Sequence, residues 1–404
     1  MNQHVWVVGG GIGGLGCALA IAREGVPLTV VEQAAAFGEV GAGLQLGPNA
    51  VRVLNDWGLG EGLRACAAFP EALRVRDARS ARTLGQMPLG RSMLARYGQP
   101  YATVHRADLH RLLLDAVQTR TATRLMLNTR LAGVDASAAA VRLTTESGQV
   151  FAGDALVGCD GLWSRVRSAL LVPEPARPTG HLAYRGMVAQ RDLPIGLRSP
   201  VVTAWLGPRL HVVHYPVRGG AWFNVVAVVH GRLGQGHAAP SQSWSHDARL
   251  EDLMRALGPV AAPLHDMLAV VPEWKLWALH DRPPVQGPHE HARGRLALLG
   301  DAAHPMRPYL AQGAAMALED AWTIGRLVQD RPSRDSVDWP ALLARYARTR
   351  WMRNARVQAR SQRNGTVFHA QGLLRVGRNL GLKVAGPRLM DSPWLYSGPP
   401  HPVP

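Results

Sequence analysis

The first thirty residues alternate between the hydrophobic pattern of buried strands and that of a helix. Residues 5–8 (Val-Trp-Val-Val) form a short apolar run, which is typical of a buried strand. The segment 15–25 has apolar residues at helical spacing and ends at a glycine, and the run 28–32 (LTVVE) predicts a second strand. A strand, a helix and a second strand in this order predict an α/β unit with a parallel sheet.

The turn between the first strand and the helix is rich in glycine. Residues 9–14 read GGGIGG and fit the pattern GxGxxG at Gly9, Gly11 and Gly14. Gly9 permits a tight turn, Gly11 lets the backbone approach a pyrophosphate, and Gly14 lets helix and strand pack closely. Glu32 ends the second strand and would accept hydrogen bonds from ribose hydroxyls. The unit therefore predicts a dinucleotide site, with NAD and FAD both open.

Between residues 180 and 284 the pattern changes to alternating and β-branched runs, which predict an antiparallel sheet. The predicted strands lie in residues 181–190, 199–207, 210–220 and 221–231. A loop rich in Gly, Ser and Pro (231–247) and a helix (250–258) follow. In the run LHVVHY, the period of two places His211 and Tyr215 on one face and His214 on the other.

Three further apolar segments end in polar residues at turns. In the segment 105–117, Arg106 and Asp108 precede a predicted helix, and a strand in 154–161 ends in Asp160-Gly161. The run at 297–299 ends in Gly300-Asp301, and a helix of small residues begins near Gln312. A carboxylate at the end of a buried strand is costly without a partner, so Asp301 predicts a large polar ligand beside this turn.

Composition narrows the class of protein. The 404 residues are 47% hydrophobic and 18% charged, which favours a folded protein, and no apolar run approaches the ~18 residues of a membrane span. The net charge of +16 comes from arginines scattered along the chain, without a block of like charges or a nucleic-acid-binding motif. The amino terminus lacks a signal-peptide pattern, so a cytoplasmic protein is expected. The three cysteines have no CxxC spacing, and no ligand-spaced His/Cys cluster predicts a metal.

The ordered motifs GxGxxG, Asp160-Gly161 and Gly300-Asp301 resemble the single-component FAD-dependent aromatic hydroxylases (group A flavoprotein monooxygenases). The similarity runs from Val5 to about Tyr396 and is greatest to the 3-hydroxybenzoate 6-hydroxylase and salicylate hydroxylase-like subgroups. It implies an α/β fold: a Rossmann-like FAD-binding domain, an inserted antiparallel-sheet substrate domain and C-terminal helices. The expected FAD-binding domain comprises 1–77, 98–178 and 285–337, and the substrate domain 78–97 and 179–284. A helical region (338–396) and a loose tail (397–404) follow.

The resemblance also implies roles for individual residues. Residues expected to bind FAD are Gly9, Gly11, Gly14, Glu32, Arg106, Asp160, Asp301, Gly313 and Ala314. The expected catalytic residues are His211 and Tyr215, and the expected substrate-binding residues are Tyr184, Pro308 and Tyr309. His304 and His214 are expected to be structural, and Arg167 belongs either to the FAD and NAD(P)H region or to a helix-surface ion pair.

The implied reaction is hydroxylation of a phenolic aromatic carboxylate with NAD(P)H and O2 through a C4a-hydroperoxyflavin. The resemblance leaves NADH and NADPH open as reductants. One alternative substrate is a hydroxylated N-heteroaromatic such as 6-hydroxynicotinate, and an alternative class is a FAD-dependent dehydrogenase or reductase without oxygen insertion. The arginine-rich helices after Pro340 are expected to present a solvated face or a homodimer contact, rather than a surface for nucleic acid.

Overall fold

Strand pairing distributes the chain between two large sheets and two small ones. The computed structural model describes residues 3–38, 42–231, 246–333 and 335–399. The predicted loop at 231–247 and the predicted tail at 397–404 therefore lie mostly outside the described residues.

The strands are β1 (Val5–Val8), β2 (Leu28–Val31), β3 (Gly43–Leu46), β4 (Ala72–Asp77), β5 (Thr83–Pro88), β6 (Ala102–His105), β7 (Thr123–Met126), β8 (Leu131–Ala136), β9 (Val141–Thr145), β10 (Val150–Gly153), β11 (Ala155–Gly158), β12 (Arg177–Ala189), β13 (Val202–Gly207), β14 (Leu210–Val217), β15 (Trp222–His230), β16 (His246–Ala248), β17 (Trp274–Asp281), β18 (Ala292–Arg293) and β19 (Leu296–Leu298). The helices are α1 (Ile12–Ala22), α2 (Pro48–Asp56), α3 (Gly60–Cys66), α4 (Gly90–Tyr97), α5 (Arg106–Gln118), α6 (Arg165–Leu170), α7 (Leu250–Leu257), α8 (Ala262–Ala269), α9 (Gly313–Gln329), α10 (Trp339–Phe368), α11 (Gly372–Met390) and α12 (Pro393–Tyr396).

The first large sheet has the strand order β18-β19-β11-β1-β2-β7. Strand β1 pairs in parallel with β2 and β11, and the pairs β2–β7 and β11–β19 are also parallel. Strands β1, β2 and β11 are buried throughout, as expected for a parallel sheet covered on both faces. Helices α1, α5 and α9 pack together in the largest hydrophobic cluster, on one side of this sheet. The predicted Rossmann-like domain is confirmed.

The second large sheet has the order β16-β17-β12-β15-β14-β13-β4-β5. Its central strands β12, β15 and β14 pair antiparallel, which confirms the predicted antiparallel domain. Strand β4 pairs in parallel with β13 and antiparallel with β5, so residues 72–77 belong to this sheet. The predicted boundary at 77/78 is therefore wrong, because it divides a hairpin whose two strands must stay together.

The carboxyl-terminal third is helical, as predicted. Helix α10 packs against α9, and α11 packs against β5 at the edge of the large antiparallel sheet. The small sheet β10-β9-β8 and helix α8 were not predicted from the sequence pattern. Among the described residues, no helix has both the length and the apolar character needed to cross a bilayer.

Candidate active site

The glycine turn after β1 has the geometry that the sequence predicts. Gly9 has a positive φ of 105°, and a Cβ there would lie 2.5 Å from the carbonyl oxygen of Cys159. A Cβ on Gly14 would lie 1.8 Å from the Gly9 carbonyl oxygen, so only glycine permits this close packing of helix and turn. A Cβ on Gly11 would meet no atom within 4 Å. The turn is thus tight on its inner side and open at Gly11, which fits a pyrophosphate approaching the start of α1.

Glu32 lies directly beside this turn. Its carboxylate accepts hydrogen bonds from the Gly10 N–H at 2.7 Å and from the Ala34 N–H at 2.8 Å. His110, which the sequence analysis did not single out, forms a 2.8 Å hydrogen bond through Nε2 to the Gly10 carbonyl oxygen. Helix α5 and the end of β2 therefore hold the glycine turn in place, with the half-buried Glu32 at the position where a ribose is expected.

The carboxylate of Asp160 is turned towards its own chain. Oδ1 accepts from the Ser164 hydroxyl at 2.5 Å, and Oδ2 accepts from the Arg165 N–H at 2.7 Å. Burial raises the pKa of this carboxyl, and these hydrogen bonds oppose the increase. Asp160 therefore fixes the start of α6. Its predicted contribution to cofactor binding remains a prediction.

Arg167 connects the Asp160 segment to the segment that carries Asp301. Its guanidinium donates to the carbonyl oxygens of Ala302 and Ala303 at 3.2 and 3.0 Å and pairs with Glu290 at 3.4 Å. Arg167 thus links two motifs inside the protein. It does not form the ion pair on the surface of one helix, which was the alternative that the sequence left open.

Asp301 lies in a short 3-10 turn, Gly300–Ala302, whose first residue has a φ of 62°. The Asp301 side chain is exposed although its neighbours in the turn are buried. Protein atoms nevertheless surround it, and this burial raises the pKa of its carboxyl, while His304 and Arg106 oppose the increase. The Asp301 carboxyl is therefore accessible to solvent on one side and closely surrounded by protein on the other.

Helix α9 begins where the sequence predicted, with Gln312 as the N-cap residue and Gly313 as the first helical residue. A Cβ on Gly313 would lie 3.9 Å from Oδ1 of Asp301, so the carboxylate and the helix amino end adjoin. The carboxylate accepts hydroxyl hydrogen bonds, and the helix N–H groups favour partial negative charge. Together with the open glycine turn, these groups fit FAD: Asp301 would accept hydrogen bonds from a hydroxylated chain, and Gly313 and Ala314 would face an electron-rich ring edge.

A buried charge network lies behind this turn and was not predicted. The carboxylate of Asp320 accepts from the Gly300 N–H at 3.2 Å, from His304 at 2.5 Å and from Arg350 Nε at 2.7 Å. Glu319 accepts from Arg350 at 2.8 Å. His304 is therefore structural, as expected. Arg350 is fully buried within the protein, so it belongs neither to the solvated face nor to the homodimer contact that the sequence led us to expect for the arginine-rich helices.

The charges in this network stabilise one another. Burial alone would raise the pKa of the Asp320 carboxyl, but His304 and Arg350 lower it well below its ordinary value. Burial would likewise lower the pKa of Arg350, whereas Glu319 and Asp320 raise it. Helices α9 and α10 and the turn before Asp301 are therefore joined through charges that have no access to water.

The face of the large antiparallel sheet that packs against Tyr309 is its inner face, and it carries the predicted catalytic residues His211 and Tyr215. Cross-strand pairs place His211 opposite Val228, and Tyr215 opposite Asn224. His214 lies on the other face, where its ring contacts Phe223 at 5.1 Å, and it is structural as expected. His211 and Tyr215 share one face, but four residues separate them by about 13 Å along the strand.

Tyr184 lies on the outer face of the same sheet. It packs in the hydrophobic cluster beneath α7 and α8, which includes Leu253 and Leu264. The prediction that Tyr184 borders the substrate is therefore wrong. Because side chains alternate along a strand, its neighbour Arg185 occupies the inner face instead, where its guanidinium lies 4.8 Å from the Trp277 ring centroid.

The predicted pair Pro308 and Tyr309 begins a short 3-10 turn. Pro308 is exposed, whereas Tyr309 is buried with its ring centroid 5.1 Å from that of His211. The Tyr309 hydroxyl forms a 2.5 Å hydrogen bond to Nδ1 of His181. The structure thus brings Tyr309 and His211 together. Tyr215 lies further along the strand, where burial raises the pKa of its hydroxyl and Arg185 opposes the increase.

Three histidines from distant segments complete this region. His181, His230 and His369 each have one ring nitrogen within 4.8 Å of such a nitrogen of the other two. No metal site was predicted from the sequence, because no histidines and cysteines have the local spacing of metal ligands. These residues come from β12, from β15 and from the residue after α10, so no local pattern could have indicated the cluster.

Comparisons with known proteins agree with this geometry. Residues 2–361 match the protein family described as "FAD binding domain". The chain is 37% identical to 3-hydroxybenzoate 6-hydroxylase of Polaromonas naphthalenivorans over 97% of this chain and 95% of that protein. Among solved structures, HpxO of Klebsiella pneumoniae complexed with FAD and uric acid superposes with a TM-score of 0.83 at 26% identity, covering 96% and 95% of the two chains. A salicylate hydroxylase substrate complex gives 0.79 at 26% identity, covering 98% and 97%.

Replacing Asp301 tests the cofactor site. In Asp301→Ala, loss of hydrogen bonds to a charged acceptor should raise the dissociation constant for FAD by about 10- to 100-fold. Flavin fluorescence titration of the apoprotein measures this constant. Asp330→Ala, at the exposed opposite end of α9, is the matched control and should bind FAD like the wild type. Equal affinity of the two variants would contradict the assignment of Asp301.

Replacing Arg350 tests the buried network. Arg350→Met leaves two carboxylates without their shared cation and should lower the free energy of unfolding by about 3–5 kcal/mol. Urea unfolding monitored by tryptophan fluorescence measures the change. Arg348→Met, on the exposed side of the same helix, should remain within about 0.5 kcal/mol of the wild type. A decrease of similar size in both variants would show that the buried network makes no specific contribution to the free energy of unfolding.

Proposed function

Because this chain belongs to the family of FAD-dependent aromatic hydroxylases, we propose that it hydroxylates a phenolic aromatic carboxylate of the 3-hydroxybenzoate or salicylate type, with NAD(P)H as reductant and O2 as oxygen donor. The observation that carries the proposal is the position of His211. Its imidazole is buried on the inner sheet face and lies beside Tyr309. Tyr309 belongs to the turn that follows the expected FAD contact Asp301. The relative from Polaromonas naphthalenivorans and the salicylate hydroxylase suggest the substrate type.

Bound FAD supplies the redox chemistry that lets O2 donate one oxygen atom to an aromatic ring. His211 accepts the proton of the substrate hydroxyl, because a phenolate is a more electron-rich target than a phenol. The buried Tyr309 contacts the same imidazole and limits the positions that a ring can take. His211 lies opposite the fully buried Val228, beside the buried cluster of Ala183, Val228 and Tyr309, and this burial limits the access of water to its imidazole.

Arg185 supplies a positive charge for the substrate carboxylate. Its Nε is buried and has no hydrogen-bond partner among the described residues, and burial lowers the pKa of its guanidinium. A buried cation with an unused donor favours an anionic ligand. Arg185 on β12 pairs with Val226 on β15, which pairs with Val213 on β14, the strand of His211. The backbones of β12 and β14 are therefore about two strand spacings, or ~10 Å, apart. A hydroxybenzoate fits between an imidazole at its hydroxyl and a guanidinium at its carboxylate.

Replacing His211 tests the proposed reaction. Purified wild type should consume NADH or NADPH faster when 3-hydroxybenzoate or salicylate is present and should form a dihydroxylated product. His211→Asn should retain FAD but form product about 10²- to 10⁴-fold more slowly, because the general base is absent. Chromatography coupled to mass spectrometry measures the product. Wild type that gives none from either acid would overturn the proposed substrate, and full product formation by His211→Asn would refute the assigned base.

Replacing Arg185 tests carboxylate recognition. Arg185→Met should raise KM for the carboxylate substrate by about 10- to 100-fold, since a charged hydrogen bond is lost. For the matching alcohol, 3-hydroxybenzyl alcohol, the same variant should change KM little. Arg191→Met, at an exposed arginine after β12, is the control and should behave like the wild type. An unchanged KM for the acid in Arg185→Met would refute this role.

A further inference from the structure

Three of the buried or partly buried histidines form a continuous hydrogen-bonded chain. Nδ1 of His211 lies 2.8 Å from Nε2 of His369. Nδ1 of His369 lies 2.9 Å from Nε2 of His230. Each link joins the δ nitrogen of one ring to the ε nitrogen of the next, so the three imidazoles are arranged head to tail. Nε2 of His211 takes part in neither bond, and the proposed reaction uses it for the substrate hydroxyl.

This arrangement permits only two patterns of protonation when all three rings are neutral. Each neutral imidazole has one N–H donor and one acceptor nitrogen. If His211 donates from Nδ1, His369 must donate from Nδ1 to His230. If His230 donates from Nε2, the direction is reversed along the whole chain. One proton entering at one end and one leaving at the other convert the first pattern into the second.

Burial decreases along the three hydrogen-bonded histidines, from His211 to His230. His211 and His369 are 3% and 5% exposed, whereas His230 is partly exposed. The chain therefore runs from the inner face of the sheet, where the substrate is proposed to bind, to a ring that water can reach.

The surroundings keep the three rings neutral. Burial lowers the pKa of His211 to about 3 and of His369 to about 2, and it lowers that of His230. The groups facing the chain add to this effect or are neutral. His181, whose own pKa burial lowers to about 4, lies beside the rings of His230 and His369 and is hydrogen-bonded to the Tyr309 hydroxyl. The cations are Arg209 near His230, Arg378 near His369 and Arg307 near His181, and Arg307 pairs with Asp281.

A neutral, deeply buried His211 is a poor final acceptor for the proton of a phenol. Burial lowers the pKa of His211, and the ordinary pKa of a phenol is near ~10, so transfer of the phenol proton to this imidazole alone is unfavourable. The proton must therefore move on to solvent if the substrate is to remain a phenolate.

We propose that His211, His369 and His230 form a proton-transfer chain that carries the hydroxyl proton of the substrate to solvent. The proposal rests on the proposed function, because it assigns an exit route to the proton that His211 removes. His369 and His230 act through His211 and do not touch the substrate, so they are positioning and relay residues.

The transfer is balanced at every step. The substrate O–H bond breaks and its proton binds Nε2 of His211, while the proton on Nδ1 of His211 passes to Nε2 of His369. The proton on Nδ1 of His369 passes to Nε2 of His230, and the proton on Nδ1 of His230 passes to water. No electrons are transferred, and each ring remains neutral. Return of one proton along the same chain to the product oxygen restores the starting pattern.

A metal site is the competing use of this cluster, since His181, His230 and His369 approach one another. Both nitrogens of His369 and Nδ1 of His181 already form hydrogen bonds to protein groups. A metal would have to break the bond between His230 and His369. The hydrogen-bond pattern therefore favours proton transfer.

The test measures proton release directly, without oxygen transfer. Wild type and His369→Phe, both with FAD bound, are mixed anaerobically with whichever phenolic acid the wild type hydroxylates. A pH indicator in weak buffer follows the proton. His369→Phe keeps an aromatic ring in place but cannot relay, so its release should be at least about 100-fold slower than in the wild type. Its rate should rise about tenfold per pH unit, because hydroxide must replace the chain, whereas the wild-type rate should change little.

Imidazole rescue separates a relay from a packing effect. Free imidazole should restore release in His369→Ala, whereas pyrazole should not, because its adjacent nitrogens cannot join two neighbours on opposite sides. His214→Phe, on the outer face of the His211 strand, is the control and should release protons like the wild type.

Four results would overturn the proposed proton-transfer chain. Two are equal rates of proton release in wild type and His369→Phe, and rescue of His369→Ala by both imidazole and pyrazole. The others are slow proton release in His214→Phe, and a transition metal that is bound at one equivalent in the wild type and lost in His369→Ala. Absence of hydroxylation by the wild type is a separate result, which overturns the proposed function and the relay with it.

Discussion

The buried carboxylate of Asp320 is the interaction on which the rest of the site depends. It holds the Gly300 N–H, the His304 ring and the Arg350 guanidinium at one point that water does not reach. The turn after β19 is thereby fixed relative to the start of α9, and the Asp301 side chain in that turn remains exposed. Removing one partner of such a network leaves a buried charge uncompensated, so the turn cannot move without a large cost.

This fixed turn brings the two large sheets into one site. Asp301 precedes Tyr309 by eight residues, and Tyr309 contacts His211 on the inner face of the antiparallel sheet. The expected FAD contact and the proposed substrate contact therefore lie on a single short segment of chain. Burial keeps the imidazoles around His211 neutral, and the buried Nε of Arg185, which has no hydrogen-bond partner among the described residues, favours an anionic group of a ligand.

The sequence predicted what local spacing determines. The glycine turn, the start of α9 and the alternation that puts His211 and Tyr215 on one face were correct, because each depends on residues within one element. Tyr184 was assigned to the wrong face because no single strand shows which of its faces is inner. His369 and Arg350 were missed because their partners are remote: 158 residues separate His369 from His211, and Arg350 is hidden among exposed arginines of the same helix.

Oxygen labelling tests the central claim most directly, namely that a flavin held by this turn transfers oxygen to a phenolic acid bound beneath His211. The holoenzyme is supplied with NAD(P)H, the phenolic acid and ¹⁸O2 in ordinary water, and the product is analysed by mass spectrometry. The account predicts a product that carries one ¹⁸O atom for each substrate molecule converted. A product whose new oxygen comes from water, or oxidation of NAD(P)H that yields only reduced oxygen species, would contradict it.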